Sequence, residues 1–231
     1  MERKNKMKKL LSTISIILSL SFMAGSVVGT VQKPNLASPL EQKISTDKTE
    51  LYKVFKFSHA FKEYRIVTNL DYQEYIKKSQ IKRQWHGYEY VTFTDDIIEI
   101  AIQLGEIAIA DKQPVDAVVM SFVQYLPYES DNIKYGGDYP KYPIETLVDG
   151  GGDCEDTSYL AVSLLRALGV NSVLLNPYGH MAVGTQKEIW NGGMYVTYNG
   201  IEYSYYEPTM IGWHKGMIPD DYKGKKIKII N

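Results

Sequence analysis

Gly150-Gly151-Gly152-Asp153-Cys154-Glu155-Asp156-Thr157-Ser158 holds the single cysteine of a 231-residue chain. Three glycines lead into it. Beyond it Leu160, Ala161, Leu164, Leu165 and Leu168 recur at helical spacing, and Gly169 is a natural stop. The thiol therefore sits at a helix N-terminus, where backbone N–H groups lack intrahelical acceptors and the dipole favours negative charge. Such a place turns a thiol into a thiolate. One cysteine forms no disulfide within its own chain, so it is an intermolecular partner, an inert core residue or a reactive thiol.

Upstream of this turn the pattern is mostly helical. Asp95 and Asp96 open a helix with Ile97, Ile100, Ala101, Leu104, Ile107 and Ala108 on one face. Gln113-Pro114 starts another, carrying Val115, Val118, Val119, Phe122, Val123 and Leu126, and Pro127 ends it. Residues 128–143 read as a long loop of the kind that carries function. Earlier, Phe55, Phe57, His59 and Phe61 alternate with polar neighbours, the period of a half-buried strand. Residues 64–67 extend or pair with that strand, and Asp71 caps a short helical segment.

Downstream the texture changes to strands, at 173–175 and 180–184. Residues 194–198 and 201–206 flank Asn199-Gly200, a type I′ hairpin signal, and 226–230 close the sheet. Helices first and antiparallel strands afterwards give an α+β domain.

The chain is 44% hydrophobic and 23% charged, enough apolar material for a core, with a net charge of −1. Five basic residues against Glu2 make the first nine residues +4, so the remainder carries −5. No basic stripe marks a nucleic-acid surface. After the basic start, Leu10 to Gly29 is an uncharged run of about 20 residues, near bilayer-spanning length. Residues 1–30 therefore read as a signal peptide or an N-terminal membrane anchor, with the domain outside the membrane. Residues 31–50 read as a linker with Pro34 and Pro39, and 51–231 as the folded domain, its catalytic core about 112–231.

A cysteine nucleophile needs a base, and the base needs an orienting group. Of the four histidines, His180 follows Cys154 by 26 residues and lies on the strands after the cysteine helix. Glu207 lies 27 residues further on, at the end of the second hairpin strand, where a carboxylate would fix the imidazole's tautomer and direction. His59, His86 and His214 read as surface or packing residues.

The motifs Gly-Gly-Asp-Cys154-Glu-Asp, Gly179-His180-Met-Ala-Val and Tyr206-Glu207-Pro208-Thr209 resemble the transglutaminase-like superfamily of papain-fold cysteine enzymes. With Tyr142-Pro143-Ile144-Glu145-Thr146-Leu147 before them, they look like its exported bacterial and archaeal branches. The resemblance runs from about Val115 to Pro208. It implies a papain-like/transglutaminase-like core with Cys154 as nucleophile, His180 as general base and acid, and Glu207 as orienter. Many relatives carry aspartate where this chain has Glu207. The resemblance also implies an oxyanion donor in the Cys154 backbone N–H, with Gln124 as a second. Relatives include peptidases, amide hydrolases, crosslinking enzymes and members without catalysis. The expectation is an exported thiol hydrolase acting on extracellular protein or peptide. The alternatives are a protein-glutamine acyl transferase and a non-catalytic binding module.

Asp153, Glu155 and Asp156 crowd the sulfur with negative charge, which raises a thiol's pKa. They are either first-turn helix stabilisers or ligands of a divalent cation. Calcium at Asp153 and Glu155, with Asp131 and Asp138 adding oxygens, suits such donors, and the exported relatives associate the position with calcium. The hydrolysis itself requires no cofactor. Other chemistries lack their motifs: no Gly-Lys-Ser/Thr follows the glycines, no second thiol or paired histidines offer a structural zinc site, and no nucleophile elbow is present.

Overall fold

The computed structural model describes residues 49–84, 87–186 and 192–231. The expected signal or anchor and most of the expected linker lie outside the described residues, as does His86. A hairpin comes first. Strand β1 (Glu50–His59) pairs antiparallel with β2 (Lys62–Asp71), turning at Ala60 and Phe61, both with positive φ. Phe57, Ile66 and Leu70 turn inward, while Phe61, expected on the buried face, is fully exposed at the tip. Asp71 caps α1 (Tyr72–Ser79), its carboxylate accepting from the Gln73 and Glu74 N–H groups.

Helices α2 (Asp95–Asp111) and α3 (Val115–Gln124) run where their apolar stripes place them. The 128–143 segment is less irregular than its composition suggests. It holds one short turn of helix, α4 (Asp131–Lys134), and Pro143 opens α5 (Pro143–Asp149), the proline at the first helical position. Then comes α6 (Cys154–Ala167), which ends as expected with Gly169 at positive φ. Every residue of α6 from Glu155 to Leu165 is buried. The helix packs against α2, α3 and α5 and against strands β3 (Ser172–Pro177) and β4 (Ala182–Gln186). Burial of each of its leucines is worth roughly 1.5–3 kcal/mol, which fixes the depth and tilt of the helix that carries the cysteine.

The second half is a five-stranded antiparallel sheet in the order β5-β6-β4-β3-β7, with β5 (Tyr195–Tyr198), β6 (Ile201–Tyr206) and β7 (Ile227–Ile230). Asn199 and Gly200 both have positive φ, as the hairpin signal between β5 and β6 requires. The last strand adds beside β3, opposite to the β5 edge. Alternation assigns the faces: Leu174, Val183 and Tyr206 join the helical core, while Val173, Leu175, Ala182, Tyr203 and Tyr205 form a second apolar cluster. Helices followed by an antiparallel sheet make the fold α+β. Among the described residues no helix is long and apolar enough to cross a membrane.

Candidate active site

Cys154 is the first residue of α6, and the turn before it is held by its neighbours' backbones. Pro127–Glu129 runs beside Gly151 and Gly152 as a short parallel bridge: Gly152 N–H donates to the Pro127 carbonyl (3.2 Å) and Glu129 N–H to the Gly152 carbonyl (3.0 Å). A Cβ on Gly151 would lie 2.4 Å from the Pro127 carbonyl oxygen, so the glycine is there for close approach. Asp153 and Asp156 cap the helix reciprocally, with Asp153 N–H donating to Asp156 Oδ2 (3.4 Å).

Beneath the turn is a lysine that no local pattern marks. Lys141 is 1% exposed, and its Nζ lies 3.1 Å from Asp156 Oδ2 and 3.3 Å from the Gly151 carbonyl oxygen. Its backbone N–H donates to Asp156 Oδ1 (2.7 Å). Burial is the largest influence on the Lys141 ammonium and acts downward, but the charge and hydrogen bond of Asp156 outweigh it and raise the pKa. Burial pushes the Asp156 carboxyl up in turn. With three N–H donors converging on its oxygens, the ionised form is the one the geometry fits.

His180 lies in the connection between β3 and β4, two residues before the strand on which it was expected. Its Nε2 bonds Glu207 Oε2 at 2.8 Å. Glu207, only 1% exposed, is gripped further. The Tyr205 hydroxyl donates to Oε2 (2.8 Å), and the Thr209 hydroxyl and N–H donate to Oε1 (2.7 and 3.3 Å). Burial is the largest single influence on Glu207 and acts upward. The His180 hydrogen bond and charge, with the Thr209 and Tyr205 bonds, outweigh it and leave the carboxyl below its ordinary value. Glu207 is therefore a buried carboxylate aimed at an imidazole, and its longer arm reaches without difficulty.

The sulfur joins this pair through the main chain. The backbone N–H of Met181, next to His180, acts on Cys154 in the direction that favours its thiolate. Among the described residues no hydrogen bond links the sulfur to the imidazole. The thiol donates instead to Glu155 Oε2 at 3.0 Å. Burial, then the charge and hydrogen bond of Glu155 and the charge of Asp153, push the Cys154 thiol up.

The acidic residues beside the cysteine separate into two jobs. Asp156 serves Lys141 and the helix cap. Glu155 and Asp153 face a cluster instead: one ligand atom each of Asp131, Asp138 and Glu155 lie within 4.8 Å of one another, as do those of Asp153, Cys154 and Glu155. Burial, together with the Asp153–Glu155 interaction, raises the Asp153 carboxyl; burial is the main cause of the rise at Glu155. Asp153 Oδ1 is buried without a hydrogen-bond partner. Several hard oxygens pushed together at a loop, one of them orphaned, form a donor set that fits calcium.

The expected oxyanion role of Gln124 needs correction. Its amide donates to the Glu207 carbonyl (2.8 Å) and to the Trp213 carbonyl (3.0 Å), so both N–H bonds are occupied. Gln124 is a strut that ties the end of α3 to the loop after β6. The other expected bystanders behave as packing and surface groups: His59 bonds Ser121 (2.8 Å) and His214 is exposed. Two aromatic residues near the sulfur went unread. Tyr128 is 58% exposed, its phenol pushed up to about 12 by burial and by the charges of Cys154, Asp153 and Glu155. Tyr222 stacks on the His180 ring. The threonine two residues after Glu207 was the one legible hint of its clamp, since such a side chain bonds locally at turns.

No family model and no curated protein matches the chain. Solved structures offer distant likenesses. Legionella pneumophila LapG aligns at 22% identity over 63% of this chain and 84% of its own, with a TM-score of 0.39. Its calcium-bound form aligns at 23% over 62% and 80%, with a TM-score of 0.40. A protein from Cytophaga hutchinsonii described as a candidate cysteine protease aligns at 12% over 78% and 73%, with a TM-score of 0.32. At such distances it is the site's own geometry that must say what the chain does.

Proposed function

We propose that this chain is a thiol hydrolase of papain-like/transglutaminase-like architecture that cleaves amide bonds in extracellular peptides or proteins. One observation carries the reading: a buried carboxylate, clamped by Tyr205 and Thr209, holds the imidazole of His180, and the backbone N–H beside that histidine favours the thiolate of the chain's sole cysteine. With Nε2 taken by Glu207, Nδ1 is the nitrogen left to exchange protons. It removes the Cys154 proton as the sulfur attacks the substrate carbonyl. The backbone N–H of Cys154, at the helix start, donates to the oxyanion. His180 then passes the proton to the leaving amine, and water activated by the same nitrogen cleaves the thioester to a free acid and the thiol. An amine in place of that water gives transamidation from the same intermediate.

Calcium belongs to the proposal as a bound ion held by Asp131, Asp138, Asp153 and Glu155. When bound, it supplies positive charge against the carboxylates that otherwise hold the thiol protonated. Residues 1–30 export the chain, which is then secreted or anchored, and the membrane is met only through that segment.

Peptide-library hydrolysis by the full-length chain tests the reading, with Cys154→Ser and His180→Ala beside it. Both variants are expected to lose all detectable cleavage, and an active Cys154→Ser chain would sink the proposal. Adding an amine donor reads the split between hydrolysis and transfer. Calorimetric titration with calcium chloride is expected to show binding that Glu155→Gln weakens at least tenfold.

A further inference from the structure

We propose that Tyr222 is a positioning residue for the His180 imidazole, a role that rests on the thiol-hydrolase reading above. The two rings lie flat on each other, centroids 4.6 Å apart and planes within 4° of parallel. A single hydrogen bond from Nε2 to Glu207 leaves the imidazole free to swing about the bond axis. A flat neighbour removes that freedom. Bond and stack together fix the ring plane, and with it the direction in which Nδ1 exchanges its proton.

The fold delivers Tyr222 firmly. It ends a 3₁₀ turn, Asp220–Tyr222, closed by its N–H to the Pro219 carbonyl (3.0 Å). The loop from Glu207 to that turn is pinned three times over. Gln124 holds the Trp213 carbonyl (3.0 Å), Lys215 Nζ meets Asp116 Oδ2 (2.6 Å), and Gly216 N–H bonds the Tyr205 carbonyl (2.7 Å). Strand β7 then anchors the far end against β3.

The ring rather than the hydroxyl is the working part. Among the described residues the Tyr222 hydroxyl has no hydrogen-bond partner. Its phenol pKa is raised by burial and then by the charges of Cys154, Glu207 and Asp221. An imidazolium formed during turnover also meets the negative face of that ring, which the Lys225 ammonium, 5.2 Å from the centroid, already shares.

The sole cysteine makes the test specific without knowledge of the substrate. The rate of iodoacetamide alkylation is measured on the full-length chain at neutral pH, with calcium held constant, for wild type, Tyr222→Phe, Tyr222→Leu and His180→Ala. Phenylalanine keeps the flat face and is expected to react at the wild-type rate. Leucine fills the space without it and is expected to slow alkylation by roughly tenfold or more, with the thermal midpoint unchanged. Leucine as fast as wild type while His180→Ala is slow would overturn the proposal. So would phenylalanine as slow as leucine, since the hydroxyl would then be the working group. If the leucine chain loses its thermal transition, the phenylalanine chain decides alone: it keeps the wild-type rate or the proposal fails. Alkylation of His180→Ala at the wild-type rate would instead sink the hydrolase reading, and the role of Tyr222 with it.

Discussion

Replacing Lys141 by methionine keeps the length of the side chain and removes its charge. The ammonium is 1% exposed and sits 3.1 Å from Asp156 Oδ2, which is fully buried, and 4.0 Å from Asp149 Oδ2. Breaking one partner out of a buried ion pair costs about 3–5 kcal/mol, because the other charge stays desolvated. The Gly151 carbonyl also loses its donor. Protonation of Asp156 limits the damage, since burial already pushes that carboxyl up. The expected loss is therefore about 3 kcal/mol, or roughly 6–12 °C in thermal midpoint for a chain of this size. Urea unfolding of the full-length protein, followed by tryptophan fluorescence, measures it. A carboxyl raised in the folded state favours folding at low pH and loses that contribution as pH rises. The penalty of Lys141→Met should accordingly be smaller at pH 5 than at pH 8. A second change, Asp156→Asn, should return more than half the loss at pH 8, because it removes the stranded charge. A Lys141→Met chain within about 1 kcal/mol of wild type would refute the structural cation, because no buried pair of this kind is broken so cheaply.

Glu207→Gln should keep the fold and lower turnover about a thousandfold, since an amide can hold the wrong tautomer of His180; turnover within tenfold of wild type would contradict the orienting role. Glu207 lies below its ordinary value, so its contribution exists at neutral pH and is lost as pH falls through the folded-state value; acid unfolding of the glutamine variant should therefore be shallower. Asp96, pushed up to about 6 by burial and then by Asp71, Glu99 and Asp95, acts in the opposite sense. It costs stability as pH rises through 6, so Asp96→Asn should gain about 1–2 kcal/mol at pH 8 and nothing at pH 4, and an equal effect at both would refute this. Gly151→Ala should cost about 1–3 kcal/mol and slow alkylation of Cys154, because its Cβ would meet the Pro127 carbonyl at 2.4 Å; unchanged stability would mean that the bridge to the turn yields freely.

Helix α6 and the β5–β6 hairpin were legible because their signals are local. A glycine run, an apolar stripe and an Asn-Gly turn act within a few residues of themselves. The pairing of His180 with Glu207 was legible as well, since both lie at strand mouths on neighbouring strands. Helix α5 was hidden because a seven-residue helix shows barely two turns of pattern, and proline at its start reads equally as loop. The destination of Gln124 could not be read, because its acceptors are carbonyls 83 and 89 residues away. Lys141 looked like any loop lysine until tertiary packing closed over it. The sequence offers two roles for the acids beside Cys154, helix stabiliser and cation ligand, and the helix turn divides them by sending Asp156 to Lys141 and Glu155 toward the thiol. Tyr222 was one of 19 tyrosines with nothing local to mark it.

Cys154, His180 and Glu207 come from a helix start, a turn and a strand end, and the ring that steadies them arrives only with the last loop. No contiguous piece of chain shorter than about 70 residues contains all four. The strands that hold them pair across intervening segments, so the constellation is complete only when the pairing of β4 with β3 and β6 is in place. A chain that is still unfolded carries the thiol without its orienting groups. On the proposed reading, His180, Glu207 and Tyr222 come to serve the thiol only when the sheet closes.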